Sequence, residues 1–412
     1  MSREMAMDRR TLIFTGALAG AISAPPLAAT APAGASEARL PAGWKEAWSR
    51  AVADFHDDLT ASGVVGGGFA FCHDGEMLAF EPHGYQDVAT KQPVDIETIY
   101  HWASITKTFT AIAFMQLRDR GLVSLDEPAV KYCPEMARIH DPFGRVDQIT
   151  LEHLLTHSSG LREPTFPWGG DKPWQPHEPK RWDQVAAMMP YTEIEFRPGS
   201  KYSYSNLGLS LIGRVIETVS GDIYQQYVIK NVLTPLGMER TYFDRTPWGL
   251  APHRGHNYYV DGGEITDNGP EVLTGATVAN GGLNAPIGDF VRYTSFLLGL
   301  GDPVRDQIVV RPATLAEMWR PNHLTDEQIP PSIKEQMGEC FFIIDFGGPA
   351  NSVRYVGHTG SQLGYLSFFY LRPQTRSAVI WVVNSSARTN FRAMVFAQRR
   401  KLFEGLFPLF ES

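Results

Sequence analysis

Cysteine is scarce in this chain of 412 residues, which contains only Cys72, Cys133 and Cys340. The three are widely separated, so they allow at most one internal disulfide and show none of the short spacings of a metal site. A long basic stripe is also lacking and the formal net charge is −8, so we expect no nucleic-acid partner. No Gly-x-Ser-x-Gly motif surrounds any serine, which excludes the nucleophile elbow of one large class of hydrolases.

Long apolar runs are lacking too. A membrane-spanning helix needs about 20 apolar residues; the stretch Thr11–Ala24 is too short, and no later segment qualifies. Arg9-Arg10 precede this stretch and Ala33-Gly-Ala35 follow it, which is the order typical of an export signal, here of the twin-arginine kind. We therefore expect residues 1–35 to direct export to the periplasm. The alternative is that they remain as an uncleaved membrane anchor.

Two histidine pairs have spacings that suggest metal binding. His153 and His157 stand at the ends of His-Leu-Leu-Thr-His, but Leu154 replaces the glutamate of the zinc motif His-Glu-x-x-His. We interpret them as a pair of histidines at a helix end. His253 and His256 lie in a glycine-containing loop and are no better as ligands. The sequence thus predicts neither a metal nor another cofactor.

The composition is that of a globular protein, with 43% hydrophobic and 20% charged residues. Hydrophobic spacing predicts helices over residues 42–61, 104–120, a short segment after Thr150, about 181–189, 207–220 and 389–407. Strands are predicted over 68–72 and 77–80, joined by an Asp-Gly hairpin turn, and over 352–356, 366–371 and 378–383.

Strand segments at both ends of the chain therefore enclose a mostly helical middle. This order predicts an α/β fold in which residues 36–103 and 304–412 form an antiparallel sheet flanked by helices. Residues 104–303 are then an inserted helical lobe, and the whole of 36–412 is one domain. Because clefts between lobes are common ligand sites, we expect an active site in the cleft between them.

One short motif carries candidate chemistry. Ser104 and Lys107 are three residues apart at the start of the apolar run Phe109–Leu117. On a helix, residues at i and i+3 share a face, so the lysine amine can reach the serine oxygen and take its proton. The positive end of the helix dipole favours the same chemistry. Taken alone, the motif fits a helix cap followed by a surface lysine better than a catalytic pair.

Two further stretches complete a pattern. Tyr202-Ser-Tyr-Ser-Asn206 precedes a predicted helix, and Val356-Gly-His-Thr-Gly-Ser361 lies on a late predicted strand. With Ser104-Ile-Thr-Lys107 they resemble the Ser-x-x-Lys, Tyr-x-Asn and Lys/His-Thr-Gly motifs of the serine β-lactamase and penicillin-binding-protein superfamily. The resemblance extends over residues 42–405 and is greatest to class C β-lactamases, to the serine esterases built on that fold and to D-amino-acid peptidases.

The resemblance implies roles for individual residues. Ser104 is the expected nucleophile, and Lys107 and Tyr204 are the candidates for taking and relaying its proton, with their division of labour left open. Substrate-binding roles are implied for Asn206, which would hold the acyl-side carbonyl or orient Lys107, and for His358, Thr359, Gly360 and Ser361. The backbone N–H groups of Ser104 and Ser361 would form the oxyanion hole.

The third motif begins with His358, where penicillin-hydrolysing enzymes have lysine. A histidine with an ordinary pKa near 6.5 is mostly neutral at pH 7 and attracts the carboxylate of a penicillin less strongly. The first hypothesis is therefore a hydrolase of small esters. The alternatives are a D-amino-acid peptidase or amidase, a DD-carboxypeptidase or a weak β-lactamase at the same site, and, in another class, an inactive binding or scaffold protein. The expected partner is a small ester or amide, and the oligomeric state stays open.

Overall fold

In the computed structural model of the protein, the residues described are 40–163, 179–323, 325, 333–346, 353–386 and 391–411. The predicted export signal, residues 1–35, lies outside them and stays a prediction. The strands are β1 (Gly66–His73), β2 (Glu76–Asp87), β3 (Gln92–Pro93), β4 (Ile99–His101), β5 (Tyr242–Phe243), β6 (Tyr258–Asp261), β7 (Glu264–Asp267), β8 (Leu283–Pro286), β9 (Ile333–Met337), β10 (Phe342–Phe346), β11 (Val353–Gln362), β12 (Tyr365–Arg372), β13 (Ser377–Val383) and β14 (Ser385–Ser386).

The helices surround and link these strands. They are α1 (Trp44–Ala61), α2 (Thr106–Asp119), α3 (Leu151–Leu155), α4 (Trp182–Met188), α5 (Asn206–Ser220), α6 (Tyr224–Val228), α7 (Val278–Gly281), α8 (Ile287–Leu297), α9 (Pro303–Val309), α10 (Pro312–Met318) and α11 (Phe391–Gly405). Within the described residues, no helix combines the length and apolar character needed to cross a bilayer.

An antiparallel sheet of eight strands joins the two ends of the chain, in the order β3-β2-β1-β13-β12-β11-β10-β9. The junction is β1 against β13, with Gly67 opposite Val383 and His73 opposite Ser377. The predicted hairpin between β1 and β2 is present: Asp74 and Gly75 both have positive φ, at 51° and 84°, as a two-residue hairpin turn requires. The predicted antiparallel sheet built from both chain ends is confirmed.

Helices cover both faces of this sheet. Because successive side chains of a strand point to opposite faces, neighbours on β12 enter different cores. Phe368 stacks on Trp381 in the core beneath α1 and α11. Phe369 faces the other core, where it packs against Phe290 and Tyr293 of α8. With both faces covered, β12 and β13 are buried along their whole length.

The inserted lobe is centred on α2, which is buried from Thr106 to Leu117 between the sheet and the helices α5, α6 and α7. The predicted helix over 104–120 begins two residues later than expected. Ala103–Ile105 instead form a 3₁₀ turn, in which Ala103 has φ of 48° and its carbonyl oxygen accepts a hydrogen bond from Thr106 Oγ1 at 2.6 Å. Ser104 therefore lies in a tight turn just before α2.

Strand β11 packs against this turn. A Cβ at Gly360 would lie 2.2 Å from the backbone oxygen of Trp102 and 2.5 Å from Ser367 Oγ, so only glycine permits the approach. Ser367 Oγ also contacts the Trp102 oxygen at 3.4 Å, although these residues are 265 positions apart in the sequence. Gly360 thus allows the late strand to lie directly beside Ser104.

We expect Gly360→Ala to lower the free energy of unfolding by about 1–3 kcal/mol, because the methyl group would overpack a backbone contact. Gly288→Ala is the matched control: a Cβ there meets no atom within 4 Å and the residue is helical, so stability should be unchanged or slightly higher. Urea unfolding of the three proteins measures both effects. Equal stability of the Gly360 variant and the wild type would contradict the close approach.

Candidate active site

Ser104 and Lys107 are in contact at the start of α2. Lys107 Nζ lies 3.1 Å from Ser104 Oγ and donates a second hydrogen bond to the backbone oxygen of Asn280 at 2.7 Å. The lysine is 0% exposed. Because burial disfavours a charged amine, the position suits a lysine that must accept a proton. The turn before α2 presents the serine, and the backbone at the end of α7 directs the lysine toward it.

Tyr204 completes the contact. Its ring centroid lies 5.0 Å from Lys107 Nζ, and its phenol is close enough to Ser104 for the serine to act on its pKa. Burial raises the pKa of the Tyr204 phenol well above its ordinary value, and the neighbouring Ser104 opposes this only in part. At neutral pH the phenol therefore keeps its proton. Ser104, Lys107 and Tyr204, the three residues expected to be catalytic, therefore lie together in the structure.

Asn206 is held by a residue that the sequence analysis did not single out. Glu163 accepts hydrogen bonds from both the backbone N–H and the side-chain Nδ2 of Asn206, each at 2.9 Å. The residue that caps α5 is Ser205, whose hydroxyl accepts from the backbone N–H of Gly208 at 3.1 Å. Glu163 also lies close enough to Tyr204 for its charge to act on the phenol. A carboxylate is thus part of this side of the cleft.

His358 lies on β11 and is buried, with 1% of its surface exposed. Its Nδ1–H donates to the backbone oxygen of Thr359 at 2.6 Å, so Nε2 carries no proton in the neutral ring. Burial, and then the charge of Lys107, lower the pKa of His358 to about 3. The ring is therefore neutral at pH 7, as expected, and desolvation keeps it neutral at lower pH than the reference pKa of 6.5 implied. His358 lies beneath the cleft surface rather than along its rim.

The rest of the third motif follows the strand. Thr359 is half-buried and Ser361 is exposed, whereas Gly360 makes the close contact with Trp102. Among the described residues, β10 pairs with β11 only as far as Gly357. The backbone beyond that point therefore has one edge without a strand partner. The proposed oxyanion hole at the N–H groups of Ser104 and Ser361 stays a prediction.

His153 and His157 make different contacts in the structure. His153 Nδ1 accepts from the backbone N–H of Thr150 at 3.2 Å and so completes the cap of α3. His157 instead lies in the site, where its ring stacks on that of Tyr204 with centroids 4.3 Å apart. Both histidines lie at the short helix α3, as interpreted: His153 in its first turn and His157 directly after its C-cap Thr156. The backbone of His157 turns to φ of 54° there, so the chain leaves the helix and the ring enters the site.

Another buried histidine, His101, lies just before the turn Ala103–Ile105 that holds Ser104. His101, at the end of β4, contacts Asn284 Oδ1 at 3.0 Å and Gln362 Oε1 at 2.9 Å. Burial lowers the pKa of His101 to about 4, so it is neutral at pH 7. The contact links the strand that leads into Ser104 with the end of β11. Sequence reasoning missed His101, Gln362 and Asn280, because their roles depend on contacts between distant segments.

Comparison with known proteins is consistent with this arrangement. A model of the Beta-lactamase family matches residues 49–402, which is most of the chain. The chain therefore belongs to the β-lactamase family of serine hydrolases.

Three relatives illustrate the likeness. Protein flp of Staphylococcus aureus (strain MW2) is 28% identical over 214 residues, or 52% of this chain and 42% of flp, so the chain spans less than half the length of that relative. The D-alanyl-D-alanine-carboxypeptidase/endopeptidase AmpH of Escherichia coli (strain K12) is 25% identical over 78% of this chain and 80% of its own. The octameric penicillin-binding protein homologue from Pyrococcus abyssi is 28% identical with a TM-score of 0.66, over 83% of this chain and 73% of its own.

The buried histidine makes stability depend on pH. Between about pH 6.5 and pH 3 the unfolded chain protonates His358 while the folded protein keeps it neutral. The unfolded state then binds more protons, so the free energy of unfolding should fall as the pH is lowered, by on the order of 1.4 kcal/mol per pH unit for this ring. Urea unfolding between pH 4.5 and 7.5 measures the slope. His358→Asn should make it shallower by that amount; an unchanged slope would show that the ring titrates normally.

Proposed function

We propose that the protein is a serine hydrolase that cleaves small esters through an acyl-enzyme on Ser104. The observation that carries the proposal is the hydrogen bond of the buried Lys107 amine to Ser104 Oγ at 3.1 Å, with the Tyr204 ring 5.0 Å from the same amine. A serine hydroxyl is a weak nucleophile until a neighbouring base removes its proton. Lys107 already contacts the serine and Tyr204 lies beside both, so little reorganisation is needed before the attack.

The proton can be followed through each step. Lys107, once its buried amine has lost a proton, takes the proton of Ser104 as Oγ bonds to the substrate carbonyl carbon and the carbonyl oxygen becomes negative. Collapse of this intermediate breaks the bond to the alcohol, which receives a proton from the Tyr204 phenol, and Lys107 restores that proton to Tyr204. Water then attacks the acyl carbon and gives a proton to the same pair. Collapse breaks the bond between the acyl carbon and Ser104 Oγ, releases the carboxylic acid and returns that proton to Ser104. The raised pKa of Tyr204 favours Lys107 as the first base, because tyrosinate is costly in this site.

The neutral His358 supports an uncharged substrate. Penicillins and peptides with a free C-terminus carry a carboxylate close to the scissile bond, and a lysine at the third motif would attract it. With its pKa near 3, His358 supplies no such charge at physiological pH. A small ester has no carboxylate at that position, so the replacement of lysine by His358 does not weaken its binding. For the same reason, β-lactams and DD-peptides should be hydrolysed less efficiently than esters.

Ser104→Ala should lower the hydrolysis of p-nitrophenyl butyrate by at least about 10³-fold, and Lys107→Ala by on the order of 10²–10⁴-fold. Ser200→Ala and Lys201→Ala, two exposed residues on the segment before Tyr204, are the matched controls and should retain full activity. A fluorophosphonate should add one adduct to Ser104, as mass spectrometry would show, and nitrocefin should be a poorer substrate than the ester. A folded protein that is neither labelled nor active would favour a scaffold role instead.

A second candidate function comes from Glu163. This partly exposed carboxylate binds Asn206 and acts on Tyr204, so it lies beside the proposed acyl-binding position. A substrate with a free ammonium next to its scissile carbonyl would find an opposite charge there. Amino-acid amides and peptides with a free amino end have this chemistry. AmpH, whose name describes cleavage of D-alanyl-D-alanine, is a relative that acts on amide bonds.

Glu163→Gln separates the two candidates. Relative to the wild type, we expect it to lower kcat/KM for D-phenylalanine amide at least about tenfold more than for 3-phenylpropionamide, which has the same ring but no ammonium. The quantity compared is the ratio of kcat/KM for D-phenylalanine amide to kcat/KM for 3-phenylpropionamide, because any disturbance of Asn206 affects both amides alike. An unchanged ratio would remove the amino-acid amide function, whereas the ester activity through Ser104 would be unaffected by that result.

A further inference from the structure

His157 contacts the segment that carries Tyr204 at three points. Its backbone oxygen accepts a hydrogen bond from the N–H of Ser203 at 2.7 Å. Its ring Nδ1 accepts from the N–H of Ser205 at 3.0 Å. Between these two bonds, its ring stacks on the Tyr204 ring at 4.3 Å with an angle of 25° between the planes. The residues before and after Tyr204, and the aromatic ring itself, are therefore all held by one side chain and its backbone.

The protonation state of His157 is fixed by these contacts. Nδ1 can accept from Ser205 only without a proton, so in the neutral ring the proton is on Nε2. Burial, and then the charge of Lys107, lower the pKa of His157 well below its ordinary value. The ring is 0% exposed, and Nε2 has no hydrogen-bond partner among the described residues. A buried N–H without a partner is unfavourable, so stability alone does not account for a histidine here.

The backbone adds a second unfavourable feature. His157 adopts φ of 54°, a left-handed conformation that costs energy for any residue with a Cβ. This conformation turns the chain away from α3 and aims both the carbonyl oxygen and the ring at the segment of Tyr204. Unfavourable backbone conformations that persist in a packed interior are frequent at functional sites.

We propose that His157 is a positioning residue, which fixes the Tyr204 phenol against Ser104 and Lys107. The inference rests on the proposed function, since it assigns Tyr204 a part in proton transfer at Ser104. His157 does not touch the reacting atoms. It acts by limiting the rotation and displacement of the Tyr204 ring, because reaction rates are sensitive to errors of about 1 Å in the placement of a catalytic group.

Two substitutions separate the contacts. His157→Asn keeps an oxygen acceptor near the position of Nδ1, tolerates left-handed backbone and removes the stacked ring. His157→Phe keeps an aromatic ring but leaves the N–H of Ser205 without its acceptor. His153→Asn, four residues earlier and outside the site, is the matched control. Thermal unfolding monitors whether each variant is folded, and if His157→Phe does not fold, the decision rests on His157→Asn.

With p-nitrophenyl butyrate we expect both His157 variants to lower kcat by on the order of 10- to 100-fold with KM changed less than about threefold, since the residue does not bind substrate. His153→Asn should leave both constants unchanged. In a Tyr204→Phe background, where the phenol is already gone, His157→Asn should have no further effect on kcat. Such non-additivity would be expected only if His157 acts through Tyr204.

Two results would overturn the proposal. One is a His157→Asn enzyme whose kcat is within twofold of the wild type while Tyr204→Phe is impaired. The other is full additivity of the two changes, which would mean that His157 affects activity independently of Tyr204. Ser104→Ala distinguishes failure of the proposed function itself. If that variant remained active, both the function and the role of His157 would be wrong; if it were inactive, either result above would remove only the role of His157.

Discussion

The site depends on one close backbone contact, that of Gly360 on β11 with the carbonyl of Trp102 just before the nucleophile. Because glycine has no Cβ, the strand can lie directly against the turn Ala103–Ile105. This contact brings the third motif to Ser104. The hydrogen bond between His101 and Gln362 reinforces the same junction from its far end. If the two segments were separated by one side-chain layer, the three motifs would not share a site.

Desolvation then determines the charges around the nucleophile. Lys107 is buried among groups that burial itself keeps neutral. The pKa of His358 is lowered to about 3 and that of His157 is also lowered, whereas those of Tyr204 and the Cys340 thiol are raised. Such surroundings suit the proposed proton transfer among Lys107, Tyr204 and Ser104. The carboxylate of Glu163 is partly exposed and lies beside Asn206.

Much of the fold could be predicted because the local signals were strong. The Asp-Gly turn between β1 and β2, the glycine that ends α5 at Gly221, and the apolar run of α2 each have a short-range cause in backbone conformation or in hydrophobic spacing. The exact start of α2 could not be predicted, since the 3₁₀ turn at Ser104 depends on the side chain of Thr106 and on the strand packed against it. The same limit applies to His157, whose spacing from His153 suggests a helix although its backbone leaves the helix.

The sequence by itself determined the membership of the chain in a family of serine hydrolases, the three motifs and their order, and the replacement of lysine by His358. These follow from residue identity and spacing, which are local properties. Only the tertiary structure decided that His358 is neutral, that Glu163 binds Asn206, that the backbone of Asn280 holds Lys107, and that His157 packs on Tyr204. Each of these depends on burial or on contact between segments far apart in the chain, and neither burial nor distance is specified by the neighbouring residues.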